Sequence, residues 1–115
     1  MGIQNETPII QKIYDFYKEL YLAVEKMLKK DKYTLGEKIQ KTTLELMESL
    51  ITASFVNKIN KSAHLDDAAA KLDLLKLLIR LANDLNAIPS NKYIFLEGKL
   101  QEVGRMLGGW IKSLK

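Results

Sequence analysis

The sequence predicts an all-α fold, an antiparallel up-down-up-down four-helix bundle. Three observations carry that expectation. Apolar residues recur with a period of 3.6 over four long segments, and no segment shows the alternation of a half-buried strand. Start and stop signals bound each segment. All three connections are short, which sets neighbouring helices antiparallel. With 115 residues the chain forms one domain, 1–115, long enough to bury a core without staples.

The first helix is expected near residues 8–30. Thr7 suits an N-cap and Pro8 the first helical position, with 1–7 disordered or extended ahead of them. Ile9, Ile13, Phe16, Leu20, Ala23 with Val24, and Met27 form one apolar stripe, and Ile10, Tyr14, Tyr17, Tyr21 and Leu28 a second. Lys29-Lys30-Asp31-Lys32 ends the helix, where its dipole favours cations.

The second helix is expected near 35–57. Thr34 and Glu37 have the spacing of a capping box. Leu35, Ile39, Thr43, Leu46, Leu50 and Ala53 face the core, flanked by Leu44, Met47, Ile51 and Phe55; Lys38, Lys41, Glu45 and Glu48 lie opposite. Residues 57–61 read as the connection.

The third helix is expected near 63–86, starting at Ser62 with Asp66 and Asp67 in an early turn. Leu65, Ala69, Leu72, Leu75, Ile79 and Ala82 make one stripe, and Leu74, Leu78, Leu81 and Leu85 another. Only Asp73, Lys76, Arg80 and Asp84 form a polar ribbon, so three partners inside one bundle leave this helix under-covered.

After Ile88-Pro89, Ser90 or Asn91 caps the fourth helix, expected near 91–113. Tyr93, Leu96, Leu100, Val103, Leu107, Trp110 and Leu114 supply its core face. Gly104, Gly108 and Gly109 sit inside this pattern. Each costs about 1 kcal/mol relative to alanine in a helix interior. Gly104 and Gly108 share one face, bare of side chains and followed by Trp110 and Ile111. Such a face is built to be packed against, by the bundle itself or by another subunit; a local kink or fraying last turn is the competing reading. With the apolar third helix, it leads us to expect self-association.

The lack of cysteine excludes disulfides and thiolate metal sites. No apolar run approaches the roughly 18 residues of a membrane span, and residues 1–8 hold no signal-peptide core, so a cytoplasmic protein is expected. The net charge of +4 permits nucleic-acid binding without demanding it. The excess is uneven: residues 62–86 carry −1 and residues 87–115 carry +3.

Catalytic chemistry is thin. His64, the one histidine, is expected in or near a loop beside Asp66 and Asp67, an incomplete ligand set for a metal. No Ser-His-acid set and no phosphate-binding glycine loop can be assembled. No enzyme activity, metal or cofactor is expected. Lys76 and Arg80, one turn apart on the third helix, could make a two-point phosphate contact; a solvated face flanked by Asp73 and Asp84 is the alternative. Arg105, Lys112 and Lys38 are supporting candidates that solvated surface explains equally well. Tyr14, Tyr17 and Tyr21 could stack bases, although on a helical stripe they are more often core or interface residues.

The segments Leu74-Leu75-Lys76-Leu77-Leu78-Ile79-Arg80-Leu81 and Gln101-Glu102-Val103-Gly104-Arg105-Met106-Leu107-Gly108-Gly109-Trp110-Ile111 resemble the accessory variability determinant (Avd) proteins of diversity-generating retroelements. These are four-helix bundles related to the intervening-sequence proteins of large-subunit ribosomal RNA. The resemblance spans residues 10–114, and Glu102–Ile111 is its most specific part. It implies a barrel-like, positively charged homopentamer with no catalytic site. It also implies partnership with an error-prone reverse transcriptase, and binding to the template-repeat RNA, in making mutagenized cDNA. In that family a basic pair on the third helix contributes to nucleic-acid binding, and Lys76 and Arg80 occupy the matching positions here. Lys76 stands where an arginine is common, which weakens bidentate phosphate recognition. Trp110 is the only tryptophan, so the N-terminal tryptophan motif of the ribosomal branch is missing, which favours the retroelement branch. The runner-up function is a structural or protein-interaction bundle of the same family with no nucleic-acid role.

Overall fold

Period-3.6 burial builds all the long elements. The computed structural model describes residues 8–115, so the Thr7 cap and the extended segment expected at 1–7 lie outside the described residues. Four long helices, α1 (Pro8–Glu25), α2 (Glu37–Phe55), α3 (Lys58–Asp84) and α4 (Ser90–Ser113), form a bundle, with no strand among the described residues. Each packs on its two neighbours in a closed circuit, α1 on α2, α2 on α3, α3 on α4 and α4 on α1. Phe16, Leu20, Leu46, Leu50, Leu75, Ile79, Leu96 and Leu100 form the middle of the core. At the α1–α4 seam Lys12 meets Glu102 at 3.1 Å and Lys92 meets Glu19 at 3.7 Å. These pairs are solvent-exposed and add little stability.

The first connection differs from expectation. α1 closes at Glu25, and an α-helical turn, Lys29–Asp31, then runs into a π-helical turn, Lys32–Gly36, that continues as α2. Lys29 and Lys30 therefore open a helical segment instead of closing one, and the dipole argument for them fails. Thr34 makes no capping box. Its Oγ1 donates to the Lys30 carbonyl at 2.8 Å, bonding back one turn. Packing decides this geometry: buried Gly36 lies against Val24 and Met27 of the α1 end.

The second connection is also shorter than expected. Asn57 is the N-cap of α3, its side-chain oxygen accepting from the Asn60 amide at 3.1 Å, so residues 58–61 are helical and Ser62 caps nothing. Lys61 Nζ reaches back to the Ala53 carbonyl at 2.5 Å, serving a group that the end of α2 leaves open. His64 is accordingly on a helix, not in a loop, and Asp66 and Asp67 lie beyond the first turn. Asp67 accepts from Ser49 Oγ of α2 at 2.5 Å and pairs with Lys71 at 3.1 Å. The Ser49 hydrogen bond, then Lys71, hold its carboxyl below the ordinary value.

At the third connection α3 ends in a Schellman motif. Asn86 takes φ 60°, the Ala87 amide donates to the Ala82 carbonyl at 2.8 Å, and the Asn86 amide to the Asn83 carbonyl at 3.0 Å. α4 then starts at Ser90 with Pro89 at the N-cap position, so neither Ser90 nor Asn91 caps it.

Candidate nucleic-acid interface

The α3–α4 seam carries the arrangement with most functional content. Leu72, Leu75 and Ile79 of α3 and Leu100, Val103 and Leu107 of α4 are buried, which fixes the rotation of both helices. Residues beside those stripes then line the edge of the seam. A groove of about 450 Å³ opens there, its floor including Leu72, Gly104, Gly108 and Ile111. Lys76 comes to it from α3 and Arg105 from α4, with Asp73 and Gln101 also lining it. Lys76, Arg105 and Asp73 together leave a net local charge of +1. The half-buried Lys76 lies across Gly104: a Cβ built there would stand 3.3 Å from its Nζ.

The five expected cationic positions are thus only partly brought together. Lys76 and Arg105 share the groove; Arg80 is exposed one helical turn along α3 from Lys76 and does not line it. Lys112 is exposed in the last turn of α4, where the helix dipole accounts for a cation without a ligand. Lys38 is exposed in the first turn of α2, which packs chiefly on α1 and α3, so it stands apart from the groove. None of the five pairs with a carboxylate among the described residues, leaving all of them open to an anion. Lys29, Lys30 and Lys41 are equally unpaired, so pairing alone does not single out a site.

The glycine face divides. Gly104 touches Lys76 and Leu72, whereas none of the described residues lies within 4 Å of a Cβ at Gly108 or Gly109. Among the described residues the bundle's own helices pack on Gly104 and not on Gly108. Trp110 is half-buried against the core. The closest glycine contact is at Gly36, which the sequence did not mark: a Cβ there would stand 2.8 Å from Val24 Cγ1.

A family model described as bAvd-like matches residues 8–114. The chain belongs to the bAvd-like family. No curated protein matches it. The match covers all four helices, so the α3–α4 groove belongs to the family domain and not to an appendage. Among the described residues no three His, Asp or Glu side chains gather as a metal site, and no helix is long and apolar enough to cross a membrane.

On the outer surface Tyr14 and Tyr21 are about half exposed, and only Tyr17 packs partly on the core. Lys18 Nζ lies 5.1 Å from the centre of the Tyr14 ring. On α3, Leu74, Leu77 and Leu81 form an exposed apolar stripe, which Leu85 at the C-cap continues.

Proposed function

We propose that this bAvd-like protein is the non-catalytic accessory factor of a diversity-generating retroelement. It binds template-repeat RNA and a reverse transcriptase in the cytoplasm and supports mutagenic cDNA synthesis. The observation that carries the reading is the family match over residues 8–114. The cations meeting at the α3–α4 groove support it, because unpaired Lys and Arg side chains suit phosphate oxygens. RNA binding is electrostatic and largely independent of sequence, with Lys76 at its centre and Arg80, Arg105, Lys112 and Lys38 the further candidate contacts.

The working form in this reading is a ring-like homo-oligomer, a pentamer, of up-down-up-down bundles. The paired ends of α1 and α4, Lys12 with Glu102 and Glu19 with Lys92, run in opposite order along the two helices and support the antiparallel arrangement. The exposed leucines of α3 and the uncovered Gly108 support self-association. Light scattering at micromolar concentration gives a multiple of the 13.1 kDa chain mass, and a monomer mass refutes the ring. For function, RNA binding is measured with and without the cognate reverse transcriptase, for wild type and for Lys76→Ala with Arg80→Ala. The double variant binds RNA less tightly and with a shallower salt dependence, while staying folded. Equal binding in both conditions and equal cDNA synthesis would show that these cations do not contact RNA.

A further inference from the structure

We infer that Gly104 is a positioning residue for Lys76, and that the phosphate-facing cation pair spans α3 and α4, Lys76 with Arg105, instead of running along α3. The inference rests on the RNA-binding reading above and names how that site is set.

A glycine in a helix interior is unfavourable relative to alanine, so its place in α4 calls for a compensating role. At Gly104 the role is visible. A Cβ would stand 3.3 Å from Lys76 Nζ, 3.6 Å from Leu72 Cδ2 and 4.0 Å from Lys76 Cε. The bare backbone is the surface along which the end of the lysine chain lies. Leu72 stands at ordinary van der Waals distance, so it is the lysine end, tighter at 3.3 Å, that shifts by a few tenths of an ångström when a side chain is added there. The lysine is half-buried, and the neighbour of Gly104 in the chain, Arg105, lines the same groove. Two helices therefore deliver one cation each to a common edge, with no carboxylate in ion-pairing range of either among the described residues. Arg80 lies outside that groove. A lysine held along a backbone loses less freedom on meeting a phosphate than one extended into water, which is the advantage of a positioned contact.

Gly98 supplies the control. It lies on the same helix, is exposed, and has none of the described residues within 4 Å of a Cβ. The assay is anisotropy of a fluorescein-labelled single-stranded oligouridylate over a salt series, with oligomer mass from light scattering beside it. Gly104→Ala weakens binding about threefold and, because the Lys76 charge is retained, leaves the salt slope near wild type, whereas Lys76→Ala lowers that slope by about 0.7, the equivalent of one phosphate contact on a single strand. In a Lys76→Ala background Gly104→Ala has no further effect, whereas Gly98→Ala binds like wild type. Arg105→Ala weakens binding more than Arg80→Ala does. Wild-type affinity in Gly104→Ala, the same loss in the Lys76→Ala background, or an altered oligomer mass in Gly104→Ala overturns the positioning role while leaving Lys76 as an RNA contact. A larger loss in Arg80→Ala than in Arg105→Ala overturns the cross-helix pair. Wild-type affinity in Lys76→Ala overturns this inference together with the reading of Lys76 on which it rests.

Discussion

Replacing Gly36 by alanine tests how the first two helices are joined. The new methyl would stand 2.8 Å from Val24 Cγ1, 3.1 Å from Met27 Sδ and 3.4 Å from the Asp31 carbonyl oxygen. Met27 can turn its flexible thioether aside. Val24 cannot: it is only 3% exposed, and a β-branched side chain in a helix holds one rotamer. Overpacking of this kind costs about 1–3 kcal/mol, and the helical gain from glycine to alanine returns about 1 kcal/mol. The net loss is therefore about 1 kcal/mol, or about 4 °C in Tm for a domain of this size. Urea unfolding at one fixed protein concentration measures it, since assembly makes stability concentration-dependent. Val24→Ala removes the methyls that clash, so its cost should be smaller in the Gly36→Ala background than alone. Equal stability of Gly36→Ala and wild type, or an equal cost of Val24→Ala in both backgrounds, would refute the claim that this contact sets the join.

Three further outcomes are expected. Thr42 is fully buried and its hydroxyl has no hydrogen-bond partner among the described residues, so Thr42→Val should raise stability by about 1 kcal/mol; the neighbouring Thr43 donates to the Ile39 carbonyl at 2.8 Å, and Thr43→Val should lower it by a similar amount, a contrast that urea melts of the two variants read directly. Asn86 holds φ 60°, so Asn86→Gly should leave stability unchanged or improved while Asn86→Val should cost about 1–2 kcal/mol; equal melting temperatures for the two would contradict the Schellman geometry. Asp67 is held below its ordinary value by Ser49 and Lys71, so its contribution is complete above the unfolded-state pKa and lost as pH falls through the lowered folded-state value; Asp67→Asn should trail wild type at pH 7 and converge with it in strong acid, and a gap independent of pH would contradict the assignment.

Helix number and core face were legible because burial repeats in register with the helix. Ile9, Ile13, Phe16, Leu20, Ala23 and Val24 of α1 are all buried, as the first stripe predicts, and so is Met27 just beyond the helix end. Ends were less legible, because several polar residues near each break can cap and only packing chooses among them. Asn57 was as good a cap as Ser62, and Thr34 with Glu37 had the right spacing for a box that does not form. The candidate site divides in the same way. Lys76 with Arg80 is a spacing within one helix and can be read from the sequence. Lys76 with Arg105 depends on how α3 and α4 are rotated against each other, which no local pattern states. The glycine stripe was visible as composition, but whether a neighbour lies over Gly104, Gly108 or Gly36 depends on residues distant in the chain.

The π-helical turn at Lys32–Gly36 acts as a phase shifter. A π-turn closes its hydrogen bond over one more residue than an α-turn, and one residue is about 100° of helix rotation. α2 therefore presents Ile39, Leu46 and Leu50 inward only because that extra residue is present upstream. Deleting a single residue within 32–36 would let an unbroken α-helix run from Lys29, and would turn α2 by about 100°, carrying Ile39, Leu46 and Leu50 off the core. This segment should tolerate substitution far better than changes of length, unlike an ordinary surface loop, where length is the freer variable.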